Sequence, residues 1–109
     1  MSPTARSLKY LRELGYTTAI VEKWNPHAKV RQDLFGFADI VAIAADEPGV
    51  LAVQACVTGD QSKRVAKIHA ESRAAIWRAA GNRIEVHGWA KCGPRGKRKT
   101  WQLSQTEIP

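Results

Sequence analysis

The order of hydrophobic and polar residues divides the chain into helices and strands. Residues 3–15 carry leucines at helical spacing and end at a glycine, which predicts a capped helix. Residues 17–24 are rich in residues that favour strands. Residues 25–36 are polar and irregular, and a segment of this kind predicts a long loop with a functional role.

The second half of the chain continues the pattern. Residues 61–80 place apolar residues on one face and basic residues on the other, which predicts a single helix that ends at Gly81. Residues 83–90 and 100–104 predict a last pair of strands around a basic loop. With a central hairpin, the order is αβββαββ, which predicts an α/β fold with a mixed sheet flanked by helices.

The central hairpin consists of two apolar segments, 37–45 and 50–57, joined by the turn-forming sequence Asp-Glu-Pro-Gly. Both segments are rich in Ala, Val, Ile and Leu, as are strands buried on both faces. Asp39 and Gln54 interrupt them. Burying such polar groups is costly unless a partner satisfies them, and a metal ion is one such partner.

A turn centred on residues 47–48 fixes the expected register of this hairpin. Asp39 then faces Cys56, with Gln54 as its diagonal neighbour about 7–8 Å away at the backbone. All three side chains share one face of the sheet. Two side-chain oxygens are therefore expected to converge on one cation.

Composition limits the class of protein. A chain of 109 residues is one domain by size, so residues 1–109 are taken as a single unit. No segment approaches the ~20 apolar residues of a membrane span, and the start lacks the apolar run of a signal peptide. Two cysteines without zinc-site spacing favour a reduced compartment. We therefore expect a cytoplasmic protein without a membrane partner.

The charge points to a polyanion as partner. Seventeen Lys and Arg against ten Asp and Glu give a net charge of +7. Residues 91–99 concentrate basic side chains among Gly and Pro, which suits a flexible loop that binds phosphates. The alternative is a merely basic, soluble surface. The residues predicted to bind nucleic acid are Arg64, Lys91, Arg95, Lys97, Arg98 and Lys99.

These elements resemble the PD-(D/E)XK nuclease superfamily, in particular its small Holliday-junction-resolvase-like and VRR-NUC-type members, which include phage proteins. Phe37-Ala-Asp39-Ile-Val-Ala matches the family's "PD-hydrophobic" element, with Ala in the Pro position. Gln54-Ala-Cys56 stands where the (E/D/Q)-x-K triplet is expected, and Leu14-Gly-Tyr-Thr-Thr-Ala-Ile-Val matches the passage into the first strand. The resemblance covers roughly residues 5–90 and implies a restriction-endonuclease-like αβββαβ core.

The chain departs from the family pattern at several places, one of which is Gln54 in the acidic position of the triplet. Cys56 occupies the Lys position. The resemblance therefore implies that a lysine of the following helix supplies the missing positive charge, with Lys63 and Lys67 as candidates. The acidic residue of the family's first helix has no clear match. Glu22 or Asp33 is expected to take its role.

The resemblance implies a Mg²⁺- or Mn²⁺-dependent endonuclease that hydrolyses phosphodiester bonds in DNA, including branched or structured DNA. The expected metal ligands are Asp39, Gln54, Glu22 and Asp33, with catalytic contributions from Asp39, Gln54, Glu22, Lys63 and Lys67. Two rivals remain: a nucleic-acid-binding module that kept the fold and lost the chemistry, and a structural basic protein. One site cuts one strand, so paired cuts would require a homodimer.

Overall fold

The first helix forms where the leucine spacing predicts it. A computed structural model describes residues 1–109, and α1 spans Pro3–Glu13. The Ser2 hydroxyl caps it by accepting a hydrogen bond from the Ala5 N–H at 3.1 Å. The chain leaves through Gly15, whose φ of +98° is costly for other residues.

Seven strands follow, and five of them form the main sheet. Their bounds are β1 Thr17–Ile20, β2 Lys23–Asn25, β3 Val30–Gln32, β4 Ile40–Ile43, β5 Leu51–Val57, β6 Arg83–Cys92 and β7 Thr100–Ile108. The main sheet has the order β1-β4-β5-β6-β7, and only β5 and β6 are parallel. The predicted α/β fold, with a mixed sheet flanked by helices, is confirmed.

Two helices, α2 (Gln61–Ala70) and α3 (Ser72–Ala79), connect β5 to β6. They pack on one face of the sheet, where Ile68 and Ala74 join the core around Ala52 and Cys56. The helix α1 covers the other face with its leucines. Side chains alternate along a strand, so Gln54 lies on the α2–α3 face, between Ala52 and Cys56.

The prediction of one strand at 17–24 and a loop at 25–36 is wrong. β1 ends at Ile20, and β2 pairs with β3 as a separate antiparallel hairpin. The Asn25 side chain closes this hairpin by accepting hydrogen bonds from the N–H groups of His27 and Ala28, at 3.0 and 3.1 Å. This local turn chemistry gives structure to a segment whose composition favours a loop.

The prediction of one helix over residues 61–80 is also wrong. Glu71 adopts an extended backbone, with φ −88° and ψ 112°, and its carboxylate accepts a hydrogen bond from the Arg73 N–H. Glu71 therefore acts as the N-cap of α3 and interrupts the helix. After the break, Ile76 is 67% exposed, whereas Ala74 is buried.

The central hairpin differs from its predicted register by two residues. Val41 pairs with Ala52 and Ile40 with Val53, so the next step places Asp39 beside Gln54 and not beside Cys56. The cause is the position of the turn, which the Glu47 N–H closes on the Ala44 carbonyl at 3.2 Å. Because the shift is an even number of residues, Asp39, Gln54 and Cys56 still share one face of the sheet, as predicted.

The last two strands are longer than predicted. β6 and β7 pair as far as Cys92 and Thr100, whereas β5 stops at Val57 opposite Trp89. The two strands therefore extend past the sheet as a ribbon that carries the basic residues, here called the basic arm (residues 90–102). The longest helix has 11 residues, and no helix is both long and apolar enough to cross a membrane.

Candidate metal centre

Asp39 is the buried centre of the site. It precedes β4, is 3% exposed, and its N–H donates to the Val53 carbonyl at 2.9 Å. Its Oδ2 accepts hydrogen bonds from the Gln54 side-chain Nε2 at 2.7 Å and from the Ala55 N–H at 2.9 Å. Strand β5 therefore fixes the orientation of the Asp39 carboxylate. The Oδ1 atom accepts neither of these two hydrogen bonds.

Glu22 and Asp33 meet Asp39 at this point. One carboxylate oxygen from each of the three residues lies within 4.8 Å of the other two. Glu22 follows β1, and its N–H and that of Val21 donate to the Asp39 carbonyl at 3.4 and 2.9 Å. Asp33 directly follows β3, so the β2–β3 hairpin brings it to the sheet. The structure thus assembles the three carboxylates named from sequence.

Burial and the two neighbouring acids change the protonation of Asp39. Burial raises the pKa of Asp39 to about 8, with further increases from its interaction with Asp33 and from the charge of Glu22, while the Ala55 N–H acts in the opposite direction. Asp39 therefore holds a proton at neutral pH unless a cation replaces it. Three carboxyl groups with oxygens within 4.8 Å of one another form a site suited to positive charge.

Gln54 supplies a further oxygen. The residue is 2% exposed, and its Oε1 is buried without a hydrogen-bond partner although its Nε2 contacts Asp39. An unpaired buried acceptor costs roughly 1–3 kcal/mol, so a partner for this atom would stabilise the site. Carboxylate and amide oxygens are the donors that Mg²⁺ and Mn²⁺ prefer. The four side chains therefore fit a hard divalent cation.

Two cations lie beside the acids. Lys67 on α2 places its Nζ 3.4 Å from Asp33 Oδ2, and Arg31 on β3 places its Nη1 3.3 Å from Glu22 Oε1. Lys63, the other predicted cation, is exposed on α2 and makes no ion pair. Of the two lysines predicted to supply a positive charge from α2, the geometry therefore favours Lys67 over Lys63.

Cys56 is buried at the position where the superfamily pattern has Lys. Burial raises the pKa of its thiol, and the nearby charge of Arg64 opposes this only in part. The side chain is therefore a neutral thiol at physiological pH and supplies no positive charge. Arg64 lies close enough to influence Cys56 and is half-buried on α2.

The basic arm rises from the same end of the sheet as the acidic cluster. β6 runs parallel to β5, and Gln54 pairs with Val86, six residues before Cys92. At about 3.3 Å per residue, the arm reaches about 20 Å beyond the cluster along the strand direction. Its five predicted phosphate-binding residues are all exposed: Lys91, Arg95, Lys97, Arg98 and Lys99.

An aromatic residue reinforces the base of this arm. The guanidinium of Arg6 on α1 lies 3.9 Å from the ring centroid of Trp101 on β7. The contact ties the arm to α1, on the face of the sheet opposite the acidic cluster. Sequence reasoning missed this pairing because the two residues are far apart in the chain.

A Ser-His-Glu arrangement lies on the α1 face and has a structural role. Ser7 Oγ is 2.9 Å from His87 Nδ1, and His87 Nε2 is 3.0 Å from Glu85 Oε1, a contact that lowers the pKa of Glu85. Ser7 and His87 are both fully buried, and the Trp89 indole N–H donates to Ser7 Oγ at 2.9 Å. With no access for substrate, this network pins α1 to β6.

A cleft of about 490 Å³ opens beside the acidic cluster. Asp33 belongs to both features. The cleft lies between the β2–β3 hairpin and the start of α3, and sequence reasoning missed it because its lining comes from three separate segments. The lining residues are Val21, Lys23, Gln32, Asp33, Leu34, Phe35, Gly36 and Arg73.

Comparison of the chain with protein-family models, curated proteins and solved structures found no match.

Proposed function

We propose that this protein is a metal-dependent nuclease that hydrolyses phosphodiester bonds in DNA, on a restriction-endonuclease-like core. The observation that carries the proposal is the convergence of three carboxylates within 4.8 Å, next to the unpartnered buried oxygen of Gln54. The resemblance of the hairpin to the PD-(D/E)XK pattern supports the same chemistry. The proposed metal ligands are Asp39, Glu22, Asp33 and Gln54.

Each side chain has a defined part in this proposal. Asp39, Glu22, Asp33 and Gln54 would hold a Mg²⁺ or Mn²⁺ ion, which would polarise the phosphate and lower the pKa of an attacking water. Asp39 is held in place by β5 through Gln54 Nε2 and the Ala55 N–H, and the buried Oε1 of Gln54 has no hydrogen-bond partner. Lys67, 3.4 Å from Asp33, stabilises the negative charge that develops on the phosphate oxygens. Lys67 thus supplies the positive charge that the family pattern places at the position of Cys56.

The basic arm provides the means of holding DNA. Its exposed lysines and arginines contact backbone phosphates without reading sequence. The arm and the cluster share one end of the sheet, and the proposal requires the bound DNA to extend about 20 Å along the β-strands from the arm to the cluster.

Cleavage of plasmid DNA tests the proposal. We expect cleavage with Mn²⁺ that EDTA abolishes, and loss of cleavage in Asp39→Ala with DNA binding retained. Asp46→Asn is the matched control, since Asp46 is exposed in the turn at the opposite end of the hairpin. Cleavage by Asp39→Ala at the wild-type rate would show that the site is wrongly assigned.

A second candidate is a DNA-binding module with the same fold and no catalysis. The observation that favours it is the buried neutral thiol of Cys56 where the family pattern has a cation. Plasmid and branched DNA incubated with Mn²⁺ separate the two: tight binding without any cleavage product would establish the second candidate.

A further inference from the structure

The cleft beside the acidic cluster has the size of a ligand site. Its volume of about 490 Å³ lies within the range of roughly 300–1,000 Å³ that is usual for such sites. Asp33 joins it directly to the proposed metal ligands. Whatever occupies the cleft therefore lies next to the proposed reaction centre.

Phe35 is displayed in this cleft at a cost in backbone strain. Its φ is 53°, a left-handed conformation that is a marked outlier for a bulky side chain, and 46% of the residue is exposed. Its ring makes only a tilted contact with Trp77, with the centroids 6.4 Å apart. An Asn would adopt this backbone with less strain, so packing alone does not explain a phenylalanine here.

Neighbouring residues hold Phe35 in this position. Gly36 also has a positive φ, +77°, and a Cβ on it would lie 2.7 Å from the Arg73 guanidinium. Arg73 is in turn paired with Glu71, the N-cap of α3. The turn that carries Phe35 is therefore braced against the helix.

Two cations complete the lining. Lys23 on β2 and Arg73 on α3 both border the cleft and are exposed; Arg73 is ion-paired with Glu71, whereas Lys23 has no ion-pair partner. An aromatic face flanked by positive charges is the combination that binds single-stranded nucleic acid, because every base has a π-face and every nucleotide has a phosphate.

We propose, on the basis of the proposed nuclease function, that this cleft binds an unstacked nucleobase on Phe35, with the adjoining phosphates at Lys23 and Arg73. Inside an intact duplex both faces of a base are covered by its neighbours, so such a base is offered only by single-stranded DNA, a flap or a frayed end. The substrate class is accordingly DNA that is single-stranded at the point of cleavage.

A fluorescent base tests this binding independently of cleavage. The probe is a short single-stranded oligonucleotide that contains 2-aminopurine, in buffer with Ca²⁺, and the readouts are quenching on stacking and the dissociation constant. We expect Phe35→Asn to remove the quenching and to weaken binding at least about fivefold, as loss of one base stack does. Phe35→Tyr should retain both.

Trp24→Ala is the matched control. Trp24 lies on the same hairpin and is 57% exposed, but it does not line the cleft. It should leave binding unchanged. Lys23→Gln gives a second line of evidence, since loss of one phosphate contact should lower the salt dependence of binding to single strands by about 0.7.

The outcomes separate the two proposals. Unchanged quenching in Phe35→Asn, or equal weakening for a closed duplex and a single strand, overturns the cleft assignment. If the cleft assignment is overturned but Asp39→Asn still abolishes Mn²⁺-dependent cleavage, the nuclease proposal stands without the base-binding cleft. If Phe35→Asn does not fold, Lys23→Gln decides alone, and an unchanged salt dependence overturns the proposal.

Discussion

At the scale of single residues, the site depends on side chains that are costly for the fold. Asp39 is buried among acids, Gln54 has an unpartnered oxygen, and Phe35 occupies a left-handed backbone. Each of these features lowers stability in the protein alone. Such costs are typical of functional sites, where a ligand offsets them.

The raised pKa of Asp39 predicts a pH dependence of stability. In the unfolded chain Asp39 loses its proton near pH 3.8, whereas the folded protein holds it up to about pH 8. Between these values the folded state binds more protons, so the free energy of unfolding falls as pH rises, by at most about 1.4 kcal/mol per pH unit. Above pH 8 this contribution levels off.

Urea denaturation of the metal-free protein between pH 4 and 8 measures this effect. Other groups also titrate, so the quantity to compare is the difference between wild type and Asp39→Asn. Asp39→Asn should become more stable relative to wild type as pH rises, and Asp46→Asn should not. Parallel pH profiles for wild type and Asp39→Asn would contradict the prediction.

Lys67 and Lys63 form a matched pair on one helix. Lys67 is 3.4 Å from Asp33, whereas Lys63 has no ion-pair partner. If Lys67 stabilises the developing charge, Lys67→Ala should lower kcat by about 10²–10³-fold, as loss of one such group does. Single-turnover cleavage measures this. Lys63→Ala should change kcat little, and equal losses in both variants would contradict the assignment.

At the scale of elements, short connections position the functional groups. The β2–β3 hairpin carries Asp33 to the sheet, and the break at Glu71 sets the start of α3 against the cleft. The start of α2 is fixed to the last strand by Gln61, whose Nε2 donates to the Ser104 carbonyl and to Thr106 Oγ1, both at 3.0 Å. This contact anchors the helix that carries Lys67.

Gly88 makes that anchoring possible. A Cβ at Gly88 would lie 2.3 Å from Gln61 Oε1 and 3.2 Å from the Thr58 Cα. Gly88→Ala should therefore displace Gln61 and destabilise the protein by roughly 1–3 kcal/mol, measured by urea denaturation. Gly59→Ala is the control, because nothing lies within 4 Å of its added Cβ. A Gly88→Ala protein as stable as Gly59→Ala would refute the argument.

At the scale of the whole molecule, the exposed cations and the clustered acids occupy different parts of the fold. The chain carries a net charge of +7, and the basic arm concentrates exposed cations beyond the sheet. The three clustered carboxylates lie on the α2–α3 face, about 20 Å away along the strands. Whether two copies pair for double cuts stays a prediction.

The arm predicts a salt dependence of binding. Arg98→Gln should weaken binding to duplex DNA and reduce the slope of log K against log salt by about 0.9, because one phosphate contact is lost. Arg12→Gln is a suitable control, since Arg12 lies on α1 and bonds the Thr18 hydroxyl at 2.9 Å. An equal change of slope in both variants would mean that the net positive charge of the protein, and not the basic arm, governs binding.

The sequence by itself determined the features that depend on neighbouring residues. The leucine spacing of α1, the apolar strands of the hairpin and the polar interruptions at Asp39 and Gln54 follow from short-range pattern, and the structure contains them all. The face shared by Asp39 and Gln54 was also predictable, because an error of two residues in register preserves alternation.

Only the tertiary structure decided how distant segments meet. The register shift, the helix break at Glu71 and the folding of residues 23–32 into a hairpin depend on individual hydrogen bonds that periodicity does not encode. The ion pair of Lys67 with Asp33, and the cleft with Phe35, depend on contacts between separate elements. Local pattern specifies elements and their chemistry, whereas packing specifies which side chains come together.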